Sequence, residues 1–254
     1  MKTALTIAGT DPTGGAGVQA DLKVFHHFGV YGLSVVSALT VQNTEKVSAT
    51  SRIEGALIEA QLNTLINDIR PDALKTGMLL SSDAVRAVAK AVRAYDLHNL
   101  VIDPVVRSSS GAQLLEDEAL ALLKSELFPL AEVITPNIDE AAALTGIAIS
   151  DAGDMEEAAQ ELKQLGPEVI IITGGHFKEE TLELVYDGRT FHRIRGKKIK
   201  GEYHGTGCAF SAAVAALLAR GTLVADAARG AKDFVEKAIT HAYDIGKGMR
   251  LLHV

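Results

Sequence analysis

Cys208 is the only cysteine of the chain. It ends the stretch Tyr203-His204-Gly205-Thr206-Gly207-Cys208, just before the small and apolar run Ala209 to Ala219. Glycines ahead of a helix let backbone N–H groups converge on one point, and the helix dipole adds positive potential there. The pattern is an anion hole with a thiol at its lip, where a helix N-terminus favours an accessible thiolate. Taken alone, Gly-Thr-Gly-Cys reads first as a buried helix start with a small residue packed under it. Two carboxylates raise the stakes: Asp103, after the apolar run Leu100-Val101-Ile102, and Glu140, three residues beyond Asn137. Carboxylates suit a hard cation and helix-start amides suit developing negative charge. The set points to phosphoryl transfer from a magnesium-bound nucleotide. Each member also has a plainer reading: Asp103 as a loop cap before Pro104, Asn137 with Glu140 as a capping box, Met78 as core.

Glycines recur near the start, in Gly9-Thr10-Asp11-Pro12-Thr13-Gly14-Gly15-Ala16-Gly17. Gly9 to Gly14 has P-loop spacing, but Gly15-Ala16 stands where Lys and Ser/Thr are needed. Gly15 to Ala20 meets the relaxed dinucleotide fingerprint, yet the second strand ends in Thr40-Val41-Gln42-Asn43 with no acidic residue for a ribose. Both matches are weak, and a loop around a small neutral substrate explains the glycines as well.

These residues need elements to carry them. Short apolar strands are expected at Leu5–Gly9, near Leu33–Thr40, at Asp72–Thr76, in Leu100-Val101-Ile102-Asp103-Pro104, at Glu132–Thr135 and in Val169–Gly175. Helical spacing follows in Leu22/Phe25/Phe28, Leu62/Leu65/Ile66/Ile69, Val85/Val88/Ala89/Val92, Met155/Ala158/Ala159/Leu162 and Phe234/Val235/Ala238/Ile239. Asp187-Gly188 predicts a hairpin, Glu183–Tyr186 against Thr190–Ile194. The alternation predicts one α/β domain, residues 1–254, with a mostly parallel sheet covered on both faces. One sheet edge would then gather Asp11, Gln42, Met78, Asp103, Asn137, Glu140, Gly174-Gly175 and Gly205 to Cys208.

Composition sets the outer bounds. A net charge of −7 over 254 residues argues against sequence-independent nucleic-acid binding. The basic group Arg193, Arg195, Lys197, Lys198 and Lys200 reads as a solvated hairpin edge. One cysteine makes no internal disulfide, and no apolar run reaches the length of a membrane helix. A cytoplasmic protein is expected.

With these motifs in order, the chain resembles the hydroxymethylpyrimidine/phosphomethylpyrimidine kinases of thiamine biosynthesis, in the ribokinase-like superfamily. The resemblance runs through Ala4 to Lys23, Gln42-Asn43-Thr44, Lys75-Thr-Gly-Met78, Ile102-Asp-Pro-Val105, Ile134-Thr-Pro-Asn137 with Glu140, Gly174-Gly-His176 and His204-Gly-Thr-Gly-Cys208. It implies a three-layer α/β/α sandwich, ATP and Mg²⁺, a pyrimidine substrate and a homodimer. It implies that Gln42 hydrogen-bonds the aminopyrimidine, with Gly9, Ala16, Met78 and Val105 as walls and Asp21 nearby. Asp103 and Glu140 would serve the metal. Asn137, Thr173, Gly175 and Thr206 would face ATP, and Gly205 and Gly207 would hold the transferring phosphoryl. Cys208 would be the base that takes the hydroxymethyl proton, and two successive phosphorylations are implied.

Three departures from the family pattern stand out. Ser109 replaces a lysine in Val106-Arg107-Ser108-Ser109-Ser110-Gly111, Thr173 replaces the lysine of Lys-Gly-Gly-His, and Glu202-Tyr203 replaces Asn-Thr. Arg107 offers a substitute charge. The rival readings are a pyridoxal kinase of the same branch, a non-catalytic pyrimidine-binding module and, distantly, a nicotinamide oxidoreductase. Gln42-Asn43-Thr44 favours the pyrimidine over pyridoxal.

Overall fold

A computed structural model describes residues 1–106, 114–174 and 180–254. Among the described residues nine strands form one sheet: β1 Thr3–Gly9, β2 Tyr31–Gln42, β3 Val47–Arg52, β4 Ala73–Thr76, β5 Leu100–Ile102, β6 Val133–Ile134, β7 Val169–Gly174, β8 Glu180–Tyr186 and β9 Phe191–Lys197. Their order is β3-β2-β1-β4-β5-β6-β7-β8-β9. Pairing is parallel from β2 through β7 and antiparallel at both ends, where β3 joins β2 and where β8 and β9 extend β7. A separate two-stranded piece pairs β10 (Tyr203–His204) with β11 (Arg250–Leu251).

Eight α-helices flank the sheet: α1 Gly17–His27, α2 Gly55–Asp68, α3 Ser82–Ala94, α4 Asp117–Leu122, α5 Ile138–Thr145, α6 Ala152–Gln164, α7 Thr206–Ala219 and α8 Val224–Thr240. Strand side chains alternate between two cores. Leu5, Ile7, Leu74, Leu100, Ile102, Ile134, Ile170 and Ile172 point to the face covered by α2 to α6. Ala4, Ala73, Val101, Val133 and Ile171 point to the face covered by α1, α7 and α8. Both faces are apolar because both are covered, as a buried parallel sheet requires. The fold is a three-layer α/β/α sandwich, as the alternation of strands and helices predicts.

Helix α7 positions the site. Its residues are almost all buried, and its alanines let it lie close against β1, β4 and β5. Its N-terminus therefore opens at the C-terminal ends of those strands, where crossovers leave to opposite faces and a crevice forms.

Candidate active site

Two glycine loops meet at that crevice. At Gly205 φ is +81°, and a Cβ there would lie 1.8 Å from the Gly15 carbonyl oxygen, so only glycine lets the loops touch. Gly205 is the N-cap of α7 and offers no side-chain cap. The N–H groups of the first turn, Thr206, Gly207 and Cys208, have no partner within the helix, and a Cβ at Gly207 would meet nothing within 4 Å. All three residues line the cleft, where an anion hole would have to be. The first loop behaves otherwise. Its Thr13 and Ala16 N–H groups donate to the Asp11 carboxylate at 2.9 and 2.8 Å. Those two amides are committed to Asp11 and not offered to a ligand as P-loop amides are.

Behind α7 lies a buried charge cluster. Lys75, at the end region of β4, has no exposed side-chain surface, and its ammonium lies 2.9 and 3.0 Å from the two oxygens of Asp21. Thr6 donates a third contact to Asp21 at 2.6 Å. Burial alone would depress the lysine, but Asp21, with Cys208 and Asp103, holds its pKa above the ordinary value. Asp103 accepts from the Ser211 hydroxyl at 3.0 Å and from the Cys208 thiol. Burial pushes Asp103 up, against Lys75. Glu140 sits beside it, pushed up to about 8 by burial and then by Asp103.

Two expectations need correcting here. Burial, with the charges of Asp103 and Asp21, pushes the Cys208 thiol up to about 12, against Lys75 and the Gly17 N–H. The resting group is a half-buried thiol, and the thiolate expected from the helix terminus is absent because desolvation outweighs the dipole. Asp21, expected near the acceptor pocket, is fully buried behind it as the counterion of Lys75 and lines no part of the cleft.

The cleft itself has a volume of about 1270 Å³. Its walls bring together Gly9, Ala16, Gln42, Met78, Val105, Asp103, Asn137, Glu140, Thr173, Gly205, Thr206, Gly207 and Cys208. At one end Met78 packs with Ala38 and Leu114, and a Cβ on Gly9 would lie 2.3 Å from the Met78 methyl carbon. Gln42 stands there, at a bulge in the β2–β3 pairing, 3.0 Å from His204 Nε2. At the other end Asn137 bridges Thr173, next to Thr181, Glu183 and Lys232. Asn137 and Glu140 do form a reciprocal capping box on α5, at 3.0 and 2.9 Å. The plainer reading of that pair is thus correct, and Glu140 still lines the cleft beside Asp103.

The remaining expectations divide. Gly175, Arg107 and Ser109 lie outside the described residues. In the basic hairpin, Arg193 pairs with Glu156 and Arg195 with Glu180, as surface groups do, whereas Lys197 and Lys198 line the cleft. Sequence reasoning missed the roles of Lys75, Lys232 and the Asp11–His204 pair. Lys75 did carry a signal, since a lysine within the buried strand Ala-Leu-Lys-Thr demands a counterion. Lys232 carried none: its partners Thr181 and Glu183 come from the distant hairpin.

Comparison with known proteins follows the same lines. A family model described as phosphomethylpyrimidine kinase matches residues 11–253. The hydroxymethylpyrimidine/phosphomethylpyrimidine kinase of Bacillus subtilis (strain 168) is 41% identical over 248 residues, spanning 96% of this chain and 92% of that protein. An ADP complex of Bacillus subtilis pyridoxal kinase superposes with a TM-score of 0.91 at 38% identity, over 99% of this chain and 96% of that one. Phosphomethylpyrimidine kinase from Clostridium difficile 630 superposes with a TM-score of 0.84 at 38% identity, over 94% and 100%.

Proposed function

The chain belongs to the phosphomethylpyrimidine kinase family, and from that premise we infer that it transfers the γ-phosphoryl of ATP to 4-amino-5-hydroxymethyl-2-methylpyrimidine and then to the resulting monophosphate. The observation that carries this reading is one cleft with Gln42 at one end and Cys208, the open first turn of α7, Asp103 and Glu140 at its centre. Gln42 holds the aminopyrimidine between Met78, Val105 and the Gly9 backbone, with the hydroxymethyl group towards Cys208. The amides of Thr206, Gly207 and Cys208, backed by the buried Lys75 charge, receive the transferring phosphoryl group. Asn137, Thr173 and Thr206 serve the nucleotide.

Asp103 and Glu140 fit a magnesium ion. They are two buried carboxylates close enough that the Asp103 charge, after burial itself, pushes Glu140 up, and a cation beside them would relieve that. Among the described residues no three His, Cys, Asp or Glu groups gather as a complete cage. A pair of carboxylates completed by phosphate oxygens is the arrangement Mg²⁺ favours. Bound there, the ion would offset phosphate charge. Cys208 is the base: the alcohol oxygen bonds to phosphorus as the bond to ADP breaks, and the alcohol proton passes to the sulfur. The thiol's own proton has to leave to solvent through the cleft before the transfer, and the positive charge of a bound ion beside Asp103 would favour that loss.

A second reading, phosphorylation of pyridoxal, is favoured by one observation, the 0.91 TM-score with a pyridoxal kinase. Gln42-Asn43-Thr44 weighs for the pyrimidine. ATP consumption measured with hydroxymethylpyrimidine, its monophosphate and pyridoxal separates the readings. The first is expected to have the highest kcat/KM, and a preference for pyridoxal would reverse the assignment. We further propose a single catalytic domain over residues 1–254 and a cytoplasmic homodimer. The exposed Leu39 and Val41 on β2 support the dimer, and light scattering should find twice the 26.8 kDa chain mass.

A further inference from the structure

Gln42 does not stand alone at the acceptor end. Its amide nitrogen lies 3.0 Å from His204 Nε2, and the same ring nitrogen lies 2.8 Å from Asp11 Oδ2. One ring nitrogen carries at most one proton, so the two contacts constrain each other. Burial opposes the charge on Asp11, but hydrogen bonds from His204 and Thr13 keep its carboxyl below the usual range, so it is an ionised acceptor. An unprotonated Nε2 would set its lone pair against that carboxylate. It would also require a proton on Nδ1, which is buried with no partner among the described residues. Nε2 therefore carries hydrogen and donates to Asp11.

Gln42 then meets an N–H group already donated to Asp11 rather than a lone pair, so a nitrogen-to-nitrogen contact gains nothing and its carbonyl oxygen is the amide atom that can share that hydrogen as a second acceptor. The oxygen and nitrogen of a side-chain amide are told apart by such neighbours. The amide thus turns its oxygen to His204 and its NH₂ group into the cleft. His204 is held in place by the β10–β11 pairing with Leu251. The chain before β11 also ties down the turn after Gln42, with Met249 N–H donating to the Thr44 carbonyl at 3.0 Å and Gly248 N–H to the Thr44 hydroxyl at 3.1 Å.

We propose that Asp11 and His204 are positioning residues that lock Gln42 with its NH₂ group facing the acceptor pocket, so that the pocket selects a heteroaromatic ring offering a lone-pair nitrogen. The proposal rests on the kinase reading of the cleft only for the ring's identity.

Two measurements test it. Gln42→Glu keeps an oxygen for the His204 N–H but presents only oxygen to the ring. Calorimetry should show hydroxymethylpyrimidine affinity falling by about 10- to 100-fold, with ATP affinity unchanged, as the loss of a buried donor implies. If Gln42 instead offered its carbonyl to the ring's amino group, the variant would bind the pyrimidine as well as the wild type does, and the proposal would be overturned. Nitrogen-15 NMR of ligand-free wild-type protein should find the His204 proton on Nε2. A proton on Nδ1 with Nε2 bare would overturn the proposal even if the protein's substrate were not a pyrimidine. Failure of wild type to bind hydroxymethylpyrimidine, with Nε2 protonated, would sink the functional reading and leave the lock standing.

Discussion

Lys75 and Asp21 present no side-chain surface to solvent, and each leaves the other a buried unpaired charge if removed. Asp21→Asn should destabilise the fold by about 3–5 kcal/mol in denaturant titrations, while adding Lys75→Met to it should recover most of the loss. If the single variant unfolds like wild type, the cluster is not charged as described. Cys208 makes a second residue-scale prediction. Because burial pushes its thiol up to about 12, alkylation by iodoacetamide should be slow at pH 7 and still climbing at pH 9. A plateau near neutrality would mean a thiolate after all. As the base, Cys208→Ala should lose about 10²- to 10⁴-fold in kcat while keeping pyrimidine affinity. At this scale the sequence was legible where a motif carried a side chain into the cleft, as at Gln42, Asp103 and Cys208. It was not legible where function depends on a distant partner. Nothing local tells that Asp21 serves Lys75, that Asp11 meets His204, or that desolvation overrides a helix dipole at Cys208.

Helix α5 joins a helix cap and a cleft-lining carboxylate in one side chain. Glu140 caps its N-terminus through Oε2 and also faces Asp103. Its folded-state value of about 8 lies above the ordinary 4.5, so the native chain holds a proton that the unfolded chain releases. Stability without ligand should therefore be greatest at or below about pH 4.5, as far as this group decides it. It should fall as pH rises towards 8 and level off above. Glu140→Gln, which keeps the cap, should flatten that slope in melting curves. A cation between Asp103 and Glu140 favours the ionised form, so Mg-ATP binding below pH 8 should release protons. Calorimetry in buffers of different ionisation heat would detect this, and Glu140→Gln should release fewer. Most elements followed from strand runs and helical spacing, and the hairpin proved longer than its turn signal implied, Glu180–Tyr186 with Phe191–Lys197. The β10–β11 pair escaped notice because two-residue strands have no periodicity.

Across the whole molecule, the alternation of core residues between two faces was readable from the strands themselves, because a buried parallel sheet leaves no polar face. Strand order was not, since it depends on which face each crossover takes. That order places β1 between β2 and β4, so the loops after these strands, the N-terminus of α7 and the C-terminal β11 converge on one cleft. Of the two positions where family lysines are replaced, Thr173 lines the cleft and Ser109 lies outside the described residues. With less positive charge opposite the phosphates, the neutral alcohol should be phosphorylated more efficiently than its monophosphate, and Thr173→Lys should favour the second step. Equal kcat/KM values in wild type would show that other groups balance the charge. The most direct test of the central claim is phosphorus NMR of the protein with Mg-ATP and hydroxymethylpyrimidine. The γ-phosphoryl signal should reappear first as a monoester on the hydroxymethyl oxygen and later as its diphosphate. ATP lost only to inorganic phosphate, or no transfer at all, would contradict the assignment.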